Sequence, residues 1–467
     1  MKLLEYKNYY VFEDGCKKYL FDSFYMECVE IRESLYYALK KKDLRQIDKH
    51  SMKILNYLKN NGRFFSNNKA DIVNSNNKKI YISLAPVTKC NLRCKYCFAN
   101  YGGNNINEKK EFDSVTLEKI ADYFINTFNE VYDFRLDFVS GGEPLLDVKL
   151  LEETLKIFRK KFINKNLEIF LCTNGTLLNE NACKILDKYN VNLGISIDGS
   201  KEQHNLCRIY ENGLGTYDDL YKNYMNLKNN MIFSNHLKSI WSLAVITSKT
   251  KSLVDLIKNN KKIGFSSIQM KLVRLKKNNE LVINESNINN VYKMVNELVE
   301  YFYICVKNNK IDDVLFFVND NDYFGKIIKR LILKEVYVYR CHAGKEKFAI
   351  TPVGDIYPCD SFVGMKRYVL GNVYRDYELK RVFNDLDVDN RLKCKSCWCR
   401  YVCGGDCLHN SLCTNGDVQE SDEVFCLIVK HTIKKTLVRI NDLEKCVPDY
   451  LNNLRQLLRV RYSLNKV

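Results

Sequence analysis

Residues 88–103 read TKCNLRCKYCFANYGG, and Cys90, Cys94 and Cys97 stand there in a Cys-x3-Cys-x2-Cys spacing. The run directly follows KIYISLAP (79–86), a short apolar segment of strand character. Three thiolates on one tight loop suit a 4Fe–4S cubane, each binding one iron and leaving the fourth iron without a protein ligand. The spacing alone also admits a zinc loop or reactive thiols. An aromatic residue, Tyr96, just before Cys97, together with features on later strands, favours iron.

Working outward, KIYISLAP opens a series of alternating segments. RLDFVSG (135–141), EIFLCTNG (168–175), NLGISIDG (192–199), SIWSLAVIT (239–247) and SIQMKLV (267–273) read as strands. Amphipathic stretches such as SVTLEKIADYFINTF (114–128) and VKLLEETLKIFRKKF (148–162) lie between them. Strands alternating with helices predict a parallel sheet with crossover helices. Six such units predict an α/β fold, a partial TIM-like (β/α)6 barrel with its chemistry at the strands' carboxyl ends.

On this reading the chain divides at 1–78, 79–285, 286–337, 338–430 and 431–467. The first unit is a small α+β, winged-helix-like domain: a hairpin turning at Asp14-Gly15, helices near 34–41 and 44–60, then an Asn-rich linker. The barrel comes second and a helical bridge third. A Cys-rich region follows, and a helix over 427–445 with a basic tail closes the chain.

Composition narrows the function classes. The 467 residues are 46% hydrophobic and 12% aromatic, enough for buried cores rather than disorder. No apolar run approaches the roughly 18 residues of a membrane span, and the start lacks a secretory pattern, so a cytoplasmic address is expected. The 73 basic and 56 acidic residues give a formal charge of +17. No nucleic-acid motif accompanies that charge, which reads mainly as solvated Lys-rich surface, so no nucleic-acid or membrane partner is expected. Of 19 cysteines, ten fall in two closely spaced sets, a pattern of metal ligands rather than disulfides in a reducing compartment.

The second set begins at Cys341, reaches Cys359, continues as Cys394-x2-Cys397-x5-Cys403-x3-Cys407 and ends at Cys426. Its Cys-x2-Cys pair admits zinc as well as iron. In SGGEPLL (140–146), Gly141 and Gly142 carry no Cβ and permit close backbone approach to a ligand, with Glu143 placed to accept from a ligand ammonium.

The cysteine loop with SGGEP resembles the radical S-adenosylmethionine superfamily. TNG (173–175), SIDG (196–199), His204, Arg208 and NGLGTYD (212–218) are similar to its peptide- and protein-modifying subgroup. The resemblance implies that Cys90, Cys94 and Cys97 hold the radical-generating cluster. It implies that S-adenosylmethionine chelates the open iron, that the Gly141-Gly142-Glu143 segment meets its methionine moiety, and that the backbone at Tyr96 and Phe98 meets adenine. Ser196 and Arg208 become candidates for its ribose and carboxylate. The second cysteine set is similar to the SPASM extension with two auxiliary 4Fe–4S clusters. By position, Cys394, Cys397, Cys403 and Cys426 would hold the outer cluster, and Cys341, Cys359 and Cys407 the inner one.

A further inner ligand common before the first cysteine of the set is missing from KEVYVYR (334–340). Either the inner cluster keeps an open iron, suited to a substrate thiolate, or a remote thiol such as Cys305 completes it. Cys399 and Cys413 are left without a role. Asp360, directly after Cys359, is a candidate proton acceptor, or else caps a turn.

The likeness over about 79–430 points to maturases that install thioether links in ribosomally made peptides. A formylglycine-generating sulfatase maturase is the alternative, and a zinc or nucleic-acid-binding module a third reading. The peptide reading implies a leader peptide bound by residues 1–65 through strand addition. It also implies an electron donor such as flavodoxin or ferredoxin.

Overall fold

The computed structural model describes residues 8–45, 47–60, 64, 79–85, 88–97, 111–138, 141–229, 239–275, 278–375, 378–383 and 386–464. Phe98 and Ser140 therefore lie outside the described residues. The chain opens with β1 (Tyr9–Asp14), β2 (Lys17–Asp22) and β3 (Glu27–Ile31), followed by α1 (Glu33–Lys41) and α2 (Lys49–Asn60). The strands form an antiparallel sheet in the order β1-β2-β3. Gly15, at φ +57°, supplies the left-handed residue of the expected hairpin turn. Alternation splits the two faces. Leu20 and Ile31 pack with Leu35, Leu39, Leu55 and Leu58 of the two helices, while Phe12, Tyr19 and Phe21 join the main core.

The barrel follows as β4 (Lys79–Leu84), α3 (Ser114–Thr127), β5 (Asp133–Phe138), α4 (Val148–Lys161), β6 (Asn166–Thr173), α5 (Glu180–Lys188), β7 (Val191–Ser196), α6 (Lys201–Asn205), α7 (Tyr217–Asn229), β8 (Trp241–Ile246), α8 (Leu253–Ile263) and β9 (Ser267–Leu272). All six predicted strands are present and pair in parallel, in chain order. Helix starts are set by short polar side chains: Asp113, Asp147, Asn179 and Ser252 each accept from a first-turn backbone N–H. Outward positions such as Ile82, Leu136 and Ile169 are buried with Leu117, Phe124 and Leu155 of the helices. Inward positions are polar: Arg135 donates to Asp137 at 2.6 Å with its guanidinium 3.6 Å from the Phe170 ring centroid.

The bridge is α9 (Ile288–Lys307), α10 (Ile311–Phe317) and α11 (Gly325–Leu333). Then β10 (Lys347–Ile350), β11 (Asp355–Tyr357) and β12 (Gly371–Asn372) extend the barrel sheet to nine strands, β10 lying parallel to β4. The Cys-rich region thus shares a sheet with the barrel, a join hidden in the sequence because β10 and β11 are only four and three residues long. Short helices α12 (Arg400–Cys403) and α13 (Leu408–Asn415) carry its later cysteines.

The chain ends in α14 (Glu423–Cys446) and α15 (Pro448–Leu464). The expected basic tail is therefore helical to Leu464. Leu451, Leu454 and Leu458 are fully buried at helical spacing, a stripe masked by surrounding charge. Among the described residues no helix is long and apolar enough to cross a membrane.

Candidate functional site

The first cysteine loop sits over the carboxyl ends of the barrel strands and is fastened to three neighbouring loops. The Arg93 and Lys95 amides donate to the Ile209 and Cys207 carbonyls at 2.7 and 2.9 Å. The Glu143 amide donates to the Lys89 carbonyl at 2.9 Å, and the Asn91 side chain accepts from Asn174 and donates to Thr176. Backbone ties of this kind fix where the thiols stand before any metal arrives. Cys90, Cys94 and Cys97 are all half-buried. Burial pushes the Cys94 thiol up to about 12 and raises Cys90 too, so protons must leave as a metal binds.

Among the described residues no group of three or more His, Cys, Asp and Glu converges as one metal ion would need. A cubane offers its irons at four corners, so its ligands need not converge on one point. Three half-buried thiols on one anchored loop fit that demand.

Gly141 has φ +111°, and a Cβ there would stand 2.2 Å from Ala85 Cβ. Only glycine lets the loop after β5 close against the chain leaving β4. Glu143 is 2% exposed. Its carboxylate accepts from Thr173 Oγ1 at 2.6 Å, the Asn174 amide at 2.8 Å and the Leu145 amide at 3.1 Å. Three of about four acceptor positions on the group are thereby filled by the chain itself. Burial raises the Glu143 pKa against the pull of those bonds. Ser196, at the end of β7, lies 3.4 Å from Cys172 Sγ on the neighbouring strand.

Arg208 is buried and paired. Its Nε donates to Asp198 Oδ2 at 3.1 Å and its Nη2 to Oδ1 at 3.4 Å. The Tyr96 hydroxyl donates to the same carboxylate, and the Val245 amide does so at 2.9 Å. His204 Nδ1 accepts from the Asp198 amide at 3.3 Å, and its Nε2 lies 3.0 Å from Thr216 Oγ1. Burial holds His204 neutral, its pKa down at about 3. Asp198 is the hub of this network, and reading the sequence missed it. The signal was present: a lone carboxylate just past a strand, with His204 and Arg208 six and ten residues further on.

Beyond β9 a cavity of about 320 Å³ separates the barrel from the second cysteine region. Cys341, Cys359 and Cys407 line it together with Arg274, Lys347 and Asp360. Lys347 Nζ is 3.3 Å from Asp360 Oδ2, and that carboxylate holds the ammonium above its ordinary range. Burial pushes the Cys359 thiol up to about 12. Arg274 is raised chiefly by Cys407, with burial opposing and Cys359 and Cys341 adding to the rise. Arg274 and Lys347 were not foreseen: Arg274 comes from beyond β9, far in sequence from the thiols, and Lys347 meets Asp360 only through the folding of β10 against β11.

Cys305 does not approach this cavity. It is buried in α9 near Tyr301, Asp313 and Lys310. Cys413 stands beside His409, with Sγ 3.5 Å from Nε2. Among the described residues the cavity therefore offers three cysteines, with no fourth.

Cys394, Cys397, Cys403 and Cys426 line a smaller pocket of about 60 Å³. Cys399, left without a role above, lines it too, with Sγ 3.5 Å from Cys397 Sγ. That contact holds the Cys397 thiol below its ordinary range.

Comparison with known proteins accords with this geometry. The family described as Radical SAM superfamily matches residues 84–270, and the iron–sulfur cluster-binding SPASM domain matches 341–407. A cysteine-type anaerobic sulfatase-maturating enzyme of Clostridium novyi is 27% identical over 390 residues, 79% of this chain and 98% of that protein. The radical SAM cyclopropyl synthase TigE of Paramaledivibacter caminithermalis is 24% identical over 375 residues, 77% of this chain and 74% of that protein. Among solved structures, native anSMEcpe with bound AdoMet superposes with a TM-score of 0.62 at 22% identity, over 78% of this chain and 99% of that one. Streptococcus suis SuiB bound to precursor peptide SuiA does so with a TM-score of 0.50 at 16% identity, over 90% and 98%.

Proposed function

This chain is a radical S-adenosylmethionine enzyme with a SPASM iron–sulfur domain, and from that premise we propose that it is a cytoplasmic peptide maturase installing Cys-to-carbon thioether links in a ribosomally made precursor. The observation that carries this reading is the N-terminal sheet. Its outer strands β1 and β3 each have one edge free of strand partners among the described residues. Such an edge can bind an extended leader peptide by strand addition.

When bound, the cluster and S-adenosylmethionine supply a 5′-deoxyadenosyl radical that takes hydrogen from an unactivated carbon. In this proposal Cys90, Cys94 and Cys97 hold the radical-generating cluster, and the Gly141-Gly142-Glu143 turn receives the cofactor's methionine end. Ser196 and the Tyr96 backbone serve its nucleoside. Arg208, held by Asp198, supplies positive charge from beneath the loop. Cys341, Cys359 and Cys407 hold the inner auxiliary cluster, leaving one iron for a substrate thiolate. The outer cluster belongs to the second pocket, and a flavodoxin- or ferredoxin-like donor supplies electrons. Asp360 takes the proton released as the substrate is oxidised, with Lys347 placing positive charge against its carboxylate.

A second reading is favoured by Asp360 itself. A carboxylate beside an inner-cluster thiol also suits formylglycine formation, and relatives over more than two thirds of the chain are sulfatase-maturating enzymes.

The two readings part in one assay. The protein is incubated without oxygen with S-adenosylmethionine, reductant and the small cysteine-containing peptide encoded nearest its gene. Thioether formation predicts loss of two hydrogens per link, with thiols that resist alkylation. Loss of sulfur with appearance of an aldehyde would establish the second reading instead.

A further inference from the structure

The outer-cluster pocket holds five thiols, one more than the four irons of a cubane can take. The surplus is local, because Cys397 and Cys399 stand with their sulfurs 3.5 Å apart. A metal–thiolate bond is about 2.3 Å, so two sulfurs on one tetrahedral metal lie about 3.8 Å apart. Sulfurs at that separation can both reach one metal position between them. Each iron of a cubane is already bound to three cluster sulfides and accepts a single thiolate, so the pair must compete.

We infer that Cys397 and Cys399 are alternative ligands to one iron of the outer auxiliary cluster, exchanging by side-chain rotation. The exchange is balanced: the incoming thiol gives its proton to the departing thiolate, and no electron moves. The surroundings hold the backbone still while this occurs. Trp398, between the two cysteines, stacks on Tyr10 of β1 with ring centroids 4.3 Å apart. Arg400 donates to the Cys397 carbonyl at 3.3 Å, to Asp389 at 2.9 Å and to Asn8 at 2.5 Å. Cys399 is 2% exposed, so its thiol has the pocket rather than solvent to face.

This inference rests on the cluster and not on the peptide reading, and its test needs no peptide. The full chain is purified without oxygen as wild type, Cys397→Ala, Cys399→Ala, the double variant, and Cys394→Ala as a ligand-loss control. Iron per chain and low-temperature electron paramagnetic resonance of the reduced protein are recorded. Each single variant should keep the wild-type iron content, whereas the double variant should lose iron to the same extent as the control does. The wild-type outer-cluster signal should be a mixture of two species, reduced to one in Cys399→Ala. Iron loss in Cys397→Ala equal to that of the double variant would overturn the inference. So would a Cys399→Ala spectrum identical to wild type, a result that does not depend on the Cys397 variant folding.

Discussion

Asp198 ties four parts of the barrel mouth together: Arg208, the Tyr96 hydroxyl beneath the cysteine loop, the Val245 amide at the end of β8, and, through its own amide, His204. Asp198→Ala leaves a buried guanidinium without its counter-charge, which costs about 3 to 5 kcal/mol. The urea midpoint should fall accordingly, and a midpoint within experimental error of wild type would remove Asp198 as the hub. His204 gives a pH signature. Its folded pKa of about 3 lies below the ordinary 6.5, so between those values the unfolded chain holds a proton that the folded chain lacks. Stability is therefore lost as pH falls through that window. Between pH 7.5 and 5.5 the wild type should lose about 1.4 kcal/mol more than His204→Gln, whereas equal losses would contradict a buried neutral imidazole. The cysteines were legible from sequence because metal chemistry dictates their spacing along a short loop. Asp198, Arg274 and Lys347 were not, since what they do depends on neighbours set beside them by the sheet.

At the scale of elements, periodicity found all six barrel strands and the helices around them. It missed β10 and β11, too short to show a pattern, and α15, where charge surrounds a narrow apolar stripe. Close approach between elements was only half visible. The Gly-Gly pair announced close backbone approach, yet Ala85 as the neighbour emerged only in three dimensions. Gly141→Ala should cost about 1 to 3 kcal/mol from the left-handed backbone alone and push the loop off the chain leaving β4. S-adenosylmethionine binding, followed by calorimetry on the reconstituted protein, should weaken by at least tenfold. Unchanged affinity would separate this turn from the cofactor. Trp398 joins two elements that sequence reading treated as distant. Tyr10 stacks on it, and the Phe21 ring meets it edge-on at 6.1 Å. Trp398→Ala should destabilise the protein by about 1 to 3 kcal/mol and make residues 8–31 more open to protease. Unaltered proteolysis would mean that the sheet is held by its ion pairs and its other core side chains without help from Trp398.

Across the whole molecule, the N-terminal sheet is built into the body rather than appended to it. Lys435, Lys445 and Lys334 reach Asp14, Glu30 and Glu27 at 2.5, 2.7 and 2.7 Å, while Phe12, Tyr19 and Phe21 enter the main core. A leader docked on that sheet would sit one stacked ring pair away from the outer-cluster loop. The barrel mouth and the inner-cluster cavity meet at the end of β9, where Arg274 faces the second set of thiols. Under the proposed function, that continuity would put hydrogen abstraction and oxidation along one path. The most direct test uses the neighbouring peptide made fully deuterated at carbon, incubated anaerobically with S-adenosylmethionine and reductant. Deuterium should appear in the 5′-deoxyadenosine in step with cross-linked peptide. Unlabelled 5′-deoxyadenosine alongside unaltered peptide would contradict the account.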